Sequence, residues 1–291
     1  MSHDILIPRL AILGVGLIGG SLARALKRAQ RVGEIVGCGR NEEQLRKAVE
    51  LGVIDRYASD PAEAVRGADV VVLGTPVSAM RAMLAAIRDH LAPQAVITDV
   101  GSAKGCVVED AKAVFGALPE RFVPGHPIAG TEKSGVEASF AELFEHRRVI
   151  LTPHVENAAP AVDLVRTMWL ATGAQVVEMG IRHHDEVLAA TSHLPHVLAY
   201  TVVDTLAAMD DRAEIFRYAA GGFRDFTRIS ASDPAMWRDI CLANRECLVA
   251  VIDEYVGNLQ RLRAALAAGD EPTVYETFRR AKHARDNFYR E

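Results

Sequence analysis

Up to about residue 179, short apolar runs rich in β-branched side chains alternate with longer stretches whose apolar positions recur at helical spacing. This alternation is typical of βαβ units arranged around a parallel sheet. The predicted strands span residues 10–13, 34–38, 70–74, 96–99, 149–152 and 175–178. The predicted helices span residues 20–29, 41–51, 60–64, 77–90 and 160–171. Residues 8–180 are therefore predicted to form an α/β domain with a mostly parallel, doubly wound sheet.

Beyond residue 179 the β-branched runs disappear, and helical periodicity continues almost throughout the rest of the chain. Residues 181–291 are therefore predicted to form a second, all-α domain. Its first long helix, over residues 182–208, contains Pro195. Because proline lacks a backbone N–H and clashes with the preceding turn, we expect Pro195 to kink this helix or to divide it in two.

Composition and charge narrow the classes of protein. The 291 residues leave room for two domains of about 150 residues each. The 33 basic and 38 acidic residues give a net charge of −5 without a block of like charge, so no nucleic-acid partner is expected. No apolar stretch is long enough to span a bilayer, and the N-terminus lacks the pattern of a secretory signal. The four cysteines form no CxxC pair or ligand cluster, so neither a disulfide framework nor a metal site is predicted. We expect a cytoplasmic protein that acts on a small molecule and not at a membrane.

A glycine motif, GVGLIG over residues 14–19, lies directly between the first predicted strand and the first predicted helix. In this context the first glycine permits a tight turn, the second lets a pyrophosphate approach the backbone, and the third lets helix and strand pack closely. The motif predicts a Rossmann-like, dinucleotide-binding domain, the alternative being a merely tight turn. The residues assigned to the cofactor are Gly14, Gly16, Leu17, Ile18, Gly19, Arg40, Thr75 and Pro76.

The end of the second predicted strand bears on the choice between NAD and NADP. Enzymes that use NAD usually carry an Asp or Glu there, which binds the ribose 2′-hydroxyl. Here the sequence over residues 37–41 is GCGRN, without a carboxylate, and Arg40 could pair with a 2′-phosphate. Glu42 and Glu43 follow slightly late and are expected in the first turn of the next helix. The pattern favours NADP, with NAD and a solvent-facing role for Arg40 as alternatives.

Two stretches rich in Gly and Pro, residues 99–105 and 124–132, follow apolar runs and are predicted to be loops at the carboxyl edge of the sheet. Open α/β sheets bind their ligands at that edge. His126 stands between Gly125 and Pro127, and we expect it on a rigid turn. A histidine there suits the acceptance of a proton from a carbinol as hydride leaves. The alternative is a structural histidine that bonds a loop carbonyl.

The predicted helical domain adds further candidates. His193 and His196 are three residues apart, so they share a helix face. A metal site would need a third ligand that the spacing does not provide. His183 and His184 are expected to face solvent. Arg228, near Asp225, is either a clamp for a substrate carboxylate or a structural ion pair.

Taken together, these segments resemble the prephenate/arogenate (cyclohexadienyl) dehydrogenase family of tyrosine biosynthesis. Besides the glycine motif, the segments that carry the resemblance are DVGSAKG (99–105), GHPIAG (125–130), TSHLPH (191–196), GGFRDFTRI (221–229) and SDPAMW (232–237). Their order and spread cover nearly the whole chain.

The resemblance implies oxidative decarboxylation of prephenate or L-arogenate with hydride transfer to NAD or NADP. In the family, the histidine matching His126 bonds the substrate's ring hydroxyl and assists hydride transfer, and the serine matching Ser102 lies near that hydroxyl. His196 matches a residue of the substrate site, and Arg228 matches an arginine that binds a substrate carboxylate. The further substrate-site residues assigned are His193, Glu132, Asp225 and Trp237. The resemblance also implies a homodimer joined through the helical domain, in which the partner chain can supply the Arg228 and Asp225 equivalents.

Two other hypotheses for the function of the chain compete with a prephenate/arogenate dehydrogenase. A β-hydroxyacid dehydrogenase would need a lysine on the helix over residues 182–208, and none is present there. A catalytically silent NADP-sensing protein would leave His126, His196 and Arg228 without a role. The residues leave open the choice between prephenate and L-arogenate, between NAD and NADP, the response to tyrosine, and which substrate carboxylate Arg228 binds.

Overall fold

The structure, a computed structural model, describes residues 5–210 and 212–288. Its strands are Ile7–Leu13 (β1), Val32–Cys38 (β2), Arg56–Ala58 (β3), Val70–Leu73 (β4), Val96–Asp99 (β5), Phe122–Val123 (β6), Gly125–Pro127 (β7), Arg148–Leu151 (β8) and Gln175–Glu178 (β9). Its α-helices are Leu17–Arg28 (α1), Glu42–Glu50 (α2), Pro61–Ala64 (α3), Met80–Ile87 (α4), Gly105–Phe115 (α5), Ala159–Leu170 (α6), Ile181–Leu188 (α7), Leu194–Ala207 (α8), Arg212–Arg217 (α9), Gly221–Thr227 (α10), Pro234–Ala243 (α11), Arg245–Ala268 (α12) and Glu271–Phe288 (α13).

Six strands form a parallel sheet in the order β3-β2-β1-β4-β5-β6. The first strand, β1, lies in the interior of the sheet, because β2 pairs on one side of it and β4 on the other. The predicted doubly wound, mostly parallel sheet is thereby confirmed. In the register, Leu13 lies opposite Cys38 and Leu73, and Leu73 lies opposite Asp99. The segments that follow these four strands therefore leave the sheet at one edge.

A smaller sheet has the order β7-β8-β9, with β7 antiparallel and β9 parallel to β8. Its first strand corrects the sequence-based expectation, because His126 lies within a strand opposite Ile150 and not on a turn. Glycine and proline flank His126 and disfavour a strand locally. Pairing with β8, which lies more than twenty residues further along the chain, supplies the partner that overrides this preference.

The core of the α/β part lies on both faces of the large sheet, since alternating residues of β1 enter two separate apolar clusters. Leu10 and Ile12 belong to one cluster, and Ala11 and Leu13 belong to the other. All four side chains are fully buried. Helices on both faces of the sheet bury the continuous apolar run over residues 10–13, whereas Pro8 and Arg9, earlier in β1, are exposed and partly exposed.

Helix α5, over Gly105–Phe115, was not among the predicted helices. Its first turn carries Gly105, Val107 and Val108, which are weak helix formers. Packing supplies the stability instead, because Val107, Val108 and Ala111 are buried against the large sheet. This helix begins at Gly105, the last residue of the segment 99–105, and so fixes where that segment ends.

Pro195 divides the first long helix of the C-terminal part, as predicted. Helix α7 ends at Leu188, a π-helical turn covers Ala189–His193, and Pro195 stands in the first turn of α8. The Leu194 N–H is still bonded to the Ala189 carbonyl, and Pro195, which lacks an N–H, cannot extend that bonding.

By compactness the chain divides between Asn244 and Arg245, so helices α7 to α11 belong to the same unit as the sheets. The sequence-based division near residue 180 marks the change from α/β to helical structure and remains a prediction. The second unit consists of α12 and α13, which pack on each other. No helix among the described residues combines the length and the apolar character needed to cross a bilayer.

Candidate functional site

The glycine motif forms a tight turn between β1 and α1. Gly14 has φ +108°, and a Cβ there would lie 2.5 Å from the carbonyl of Gly74. A Cβ on Gly19 would overlap the carbonyl oxygen of Gly14. Gly16 differs, since a Cβ there would meet nothing within 4 Å. The first and third glycines are therefore required by close backbone contacts, whereas Gly16 faces open space at the start of α1.

This open space suits a dinucleotide. No side chain caps α1, so its first N–H groups, including those of Leu17 and Ile18, remain available to an anion. At the end of β4 the Oγ1 atom of Thr75 is buried and has no hydrogen-bond partner among the described residues. Pro76, the next residue, is exposed. An orphaned hydroxyl beside a glycine-lined gap fits the polar groups of a bound nicotinamide dinucleotide.

Arg40 lies two residues beyond β2, is exposed, and makes no hydrogen bond or ion pair within the described part of the chain. The acids after it are placed as predicted, since Glu42 and Glu43 stand in the first turn of α2. Glu42 accepts hydrogen bonds from Arg46 at 2.9 Å and from Tyr57 at 3.0 Å, so its carboxylate is engaged. Among the described residues near the end of β2, Arg40 and Glu43 are exposed and unpaired, whereas the carboxylate of Glu42 is engaged.

His126 is almost completely buried, with 8% of its surface exposed. Its Nδ1 atom lies 2.9 Å from Nε2 of His184, and the two rings meet edge to face. Burial lowers the pKa of His126 well below its usual range, and the neighbouring His184 and Lys104 act in the same direction. The imidazole is therefore neutral at neutral pH, which is the state that accepts a proton.

His184 corrects a second expectation, because it does not face solvent. It is fully buried, whereas its neighbour His183 is exposed as predicted. The Nδ1 atom of His184 lies 2.8 Å from Oδ1 of Asp185. Burial lowers the pKa of His184 even though the hydrogen bond to Asp185 acts to raise it.

Asp185, in the middle of α7, is hydrogen-bonded to the start of α5. Its Oδ1 atom accepts the backbone N–H of Lys104 and its Oδ2 atom accepts that of Gly105, each at 2.8 Å. Burial alone would raise the pKa of Asp185, but the hydrogen bonds from His184 and from these two amides lower it overall. The carboxylate is therefore ionised and acts only as an acceptor.

A buried ion pair between Lys104 and Asp99 holds the segment that precedes α5. Both side chains are fully buried, and the Lys104 ammonium also donates to the carbonyl of Gly125 at 2.7 Å. Asp99 accepts the N–H of Gly101 at 2.8 Å and that of Gly125 at 3.2 Å. The pair thus fixes the residue next to His126. Both residues lie in the segment 99–105, but the sequence predicted no role for them, since nothing in the pattern shows that their side chains meet.

His193 and Ser102 lie near this network. His193 is fully buried, and its Nδ1 atom lies 3.2 Å from the Asn244 amide nitrogen. Burial lowers the pKa of His193 to about 4, against a smaller opposite effect of the Ser102 backbone and of Asp185. Its Nε2 atom makes no hydrogen bond of ordinary geometry among the described residues. The half-buried Ser102 is therefore placed beside a neutral histidine.

His196 and Trp237 form a stacked pair from α8 and α11. Their ring centroids lie 3.5 Å apart and their planes are inclined by 19°. The Nδ1–H of His196 donates to the carbonyl of Ser192 at 2.8 Å, so Nε2 is the nitrogen left to accept. The Trp237 indole N–H is buried without a partner in the described part of the chain. The two rings therefore present one unused acceptor and one unused donor.

Arg228 forms an ion pair with Glu132, across the space between the segment after α10 and the segment after β7. Both side chains remain substantially exposed, at 64% and 42%. Asp225 is exposed and makes no hydrogen bond or ion pair within the described residues. The structure therefore pairs Arg228 with Glu132 and leaves Asp225 apart. Within residues 5–210 and 212–288, no three His, Cys, Asp or Glu side chains are grouped to hold a metal ion.

Two family models of prephenate dehydrogenases match successive parts of the chain. The family model for the prephenate dehydrogenase nucleotide-binding domain matches residues 22–178. The model for the prephenate dehydrogenase dimerization domain matches residues 181–280.

Individual relatives cover nearly the whole chain. A cyclohexadienyl dehydrogenase of Zymomonas mobilis is 40% identical over 279 residues, which are 95% of this chain and 94% of that protein. A prephenate dehydrogenase of Bacillus subtilis is 39% identical over 94% of this chain and 74% of its own length. A crystal structure of prephenate dehydrogenase from A. aeolicus, in complex with hydroxyphenyl propionate and NAD+, has a TM-score of 0.90 at 39% identity and covers 97% of this chain and 98% of that one.

Proposed function

The chain belongs to the prephenate dehydrogenase family, and on that premise we propose that it catalyses the oxidative decarboxylation of prephenate, L-arogenate or both. The products are 4-hydroxyphenylpyruvate and L-tyrosine, respectively, so the enzyme serves tyrosine biosynthesis. The observation that carries this proposal is the neutral, buried His126, held near the dinucleotide-binding edge of the large sheet by His184 and the Lys104–Asp99 pair.

We propose His126 as the proton acceptor. Its pKa lies well below neutrality because the ring is buried, so its free nitrogen is available as a base over the physiological range. The bound nicotinamide dinucleotide supplies the acceptor for the hydride that leaves the substrate's ring carbon. Loss of the ring carboxylate as CO2 produces an aromatic phenol, and this aromatisation drives the reaction. The protein is therefore required chiefly to orient the substrate and to accept one proton.

Substrate binding is proposed for six side chains: Arg228, Glu132, His193, His196, Trp237 and Asp225. Arg228 is the cation suited to a substrate carboxylate, and its partner Glu132 holds the guanidinium ready in the absence of substrate. His193, His196 and Trp237 supply nitrogen atoms without partners, which suit a polar and partly planar substrate. Asp225 is proposed to bind substrate from the surface of the site. Ser102, which lies beside His193, is proposed as a catalytic residue together with His126.

The cofactor site is proposed at Gly14, Gly16, Leu17, Ile18, Gly19, Arg40, Thr75 and Pro76. A nicotinamide dinucleotide fits the gap at Gly16 and the orphaned Thr75 hydroxyl. We favour NADP over NAD because Arg40 is an exposed, unpaired cation two residues beyond β2, and because the carboxylate of Glu42 is already bonded. An exposed guanidinium suits a 2′-phosphate, which a 2′-hydroxyl does not replace.

A homodimer is proposed through the helical part of the chain. The matched dimerization model includes α12 and most of α13. Apolar side chains of these helices, among them Leu266, Tyr275 and Phe278, are 59%, 67% and 56% exposed in the single chain. Burial of such a patch against a second copy would remove it from water.

The β-hydroxyacid dehydrogenase alternative is not favoured. Helices α7 and α8 carry histidines and no lysine, and the relatives above are all prephenate or cyclohexadienyl dehydrogenases.

The test is initial-rate formation of reduced cofactor with prephenate and with L-arogenate, each against NAD and NADP. We expect activity in at least one of the four combinations and a higher kcat/KM with NADP. Folded protein that binds the dinucleotide but is inactive in all four combinations would refute the proposed reaction. The dimer is tested by light scattering over a dilution series. We expect a molecular mass of two chains at high concentration.

A further inference from the structure

His126 does not stand alone, since it ends a buried chain of hydrogen-bonding groups. The chain runs from the Asp185 carboxylate to Nδ1 of His184 at 2.8 Å, and from Nε2 of His184 to Nδ1 of His126 at 2.9 Å. His184 is fully buried, and its two ring nitrogens contact these two residues. The direction in which each hydrogen bond points follows from what each group can donate.

The carboxylate end fixes the first proton. Asp185 is ionised, and each of its oxygens already accepts a backbone N–H from the start of α5, so it acts only as an acceptor. The hydrogen bond to His184 must therefore be donated by Nδ1–H of His184. If Nδ1 of His184 were unprotonated, its lone pair would face the lone pairs of the Asp185 carboxylate and be repelled by them.

The second proton follows from the first. Burial lowers the pKa of His184, and the buried Lys104 ammonium nearby further disfavours a cation on this ring. A neutral His184 with its proton on Nδ1 has a lone pair on Nε2. That nitrogen then accepts, and the proton between the two histidines belongs to Nδ1 of His126.

We propose that His184 and Asp185 are positioning residues that hold His126 as its Nδ1–H tautomer and so leave the Nε2 lone pair as the base for the substrate hydroxyl. The proton taken from the hydroxyl then resides on Nε2, while the proton on Nδ1 stays in its hydrogen bond to His184. The charged and titratable groups around His126 are His184, Lys104 and His193, and those around His184 are Asp185, Lys104 and Asp99. A new positive charge on His126 therefore lies near one ammonium, and the two carboxylates act through His184. This inference rests on the proposed role of His126 as base.

The experiment measures the tautomer directly and does not depend on turnover. Protein labelled with 15N-histidine is examined by two-bond proton–nitrogen correlation at pH 7.5, and the His126 signals are assigned by their loss in His126→Asn. We expect a protonated Nδ1 and an unprotonated Nε2 on His126. A proton found on Nε2 instead would overturn the proposal, even if the enzyme turns over its substrate normally.

Three variants separate positioning from structure. His184→Phe removes the acceptor, and we expect the fixed Nδ1–H signature to be lost and kcat to fall about tenfold or more, with KM within about twofold. His184→Gln keeps an acceptor, because its amide nitrogen is drawn to the Asp185 carboxylate and its oxygen then faces His126. We expect it to restore most of kcat and the tautomer.

The matched control is the neighbouring histidine on the same helix. His183→Phe changes an exposed ring, and we expect kcat, KM and the His126 tautomer to stay as in the unchanged protein. Wild-type kcat and tautomer in His184→Phe would refute the proposal. Should His184→Phe fail to fold, the tautomer of the unchanged protein and the His184→Gln comparison still decide it. Absence of turnover with a correct Nδ1–H tautomer would refute the proposed reaction and leave the positioning intact.

Discussion

The imidazole of His196 lies flat against the indole of Trp237, with the ring centroids 3.5 Å apart. The first ring comes from α8 and the second from α11, so the stack joins two helices through residues that are about forty positions apart in sequence. Each ring is held by something else as well, since His196 donates to the Ser192 carbonyl and Trp237 is 9% exposed. The stack therefore sets the direction in which Nε2 of His196 points.

Replacing Trp237 by leucine should weaken substrate binding. An aromatic pair contributes about 0.5–1.5 kcal/mol beyond its buried area, so we expect KM to rise roughly two- to tenfold with a smaller change in kcat. The matched control is the other tryptophan, Trp169, which packs on Phe144 in the core. Trp169→Phe should lower the melting temperature and leave KM unchanged. An unaltered KM in Trp237→Leu would remove this ring from the substrate site.

His126→Asn should lower kcat by about 10²-fold or more while leaving KM little changed, because an acid–base group is lost and binding contacts are kept. Steady-state kinetics at saturating cofactor measures both constants. Because asparagine is smaller than this buried ring, some loss of stability is expected, so the unfolding midpoint is measured as the control and kcat is compared well below it. A kcat equal to that of the unchanged protein would exclude His126 from the mechanism.

Arg228→Ala should act mainly on KM. Truncating one member of a charge pair that binds a ligand costs about 2–5 kcal/mol, so we expect KM to rise some 30-fold or more. Stability should hardly change, because the pair with Glu132 is exposed and such pairs contribute only about 0.2–1 kcal/mol. Arg182→Ala is the control, as Arg182 is also an exposed arginine with a glutamate partner, Glu186. Equal KM values for the two variants would argue against Arg228 as a carboxylate ligand.

Arg40→Ala should change the choice of cofactor. A hydrogen bond to a charged group contributes about 1.5–3 kcal/mol, so kcat/KM with NADP should fall roughly 10- to 100-fold while the value with NAD changes little. Arg46→Ala provides the comparison, because Arg46 lies on α2 and is engaged by Glu42. A strong preference for NAD in the unchanged protein, unaffected by Arg40→Ala, would contradict the assignment.

The buried histidines should make the fold acid-sensitive between about pH 6.5 and pH 4. Burial lowers the pKa of His193 to about 4, whereas an unfolded histidine titrates near about 6.5. Below pH 6.5 the unfolded state therefore binds the proton first, so the free energy of unfolding is full above that pH and falls as the pH drops. The lowered pKa values of His126 and His184 act in the same direction.

Urea midpoints measured from pH 7.5 to pH 4.5 test this dependence. His193→Gln should flatten the slope, since it removes one of the groups that titrates differently in the two states. The exposed His183 is the control, and His183→Gln should leave the slope as it was. A midpoint independent of pH over this window would mean that the three rings are not held neutral by burial.

What the sequence made predictable is local. The glycine turn was found because its spacing, strand and helix are adjacent in sequence, and the parallel sheet was found because β-branched runs recur at regular distances. His126 was found from its unusual setting, although its strand was not, because β7 depends on pairing with β8. The buried hydrogen-bonded chain from Asp185 through His184 to His126 was not predicted at all. His184 and His126 are 58 residues apart and Asp185 and Lys104 are 81 apart, and no periodicity reports contacts at such separations.

The carboxylate of Asp185 also bears on how separable the two parts of the sequence are. It lies just beyond the predicted boundary near residue 180, yet it receives the first two amides of a helix that belongs to the nucleotide-binding part. A fragment that ends at residue 180 would keep every strand of both sheets and still leave those amides without their anion. The two parts are therefore separate in the sequence but not in the structure. Exchanging the helical part between relatives would also exchange the carboxylate that caps α5.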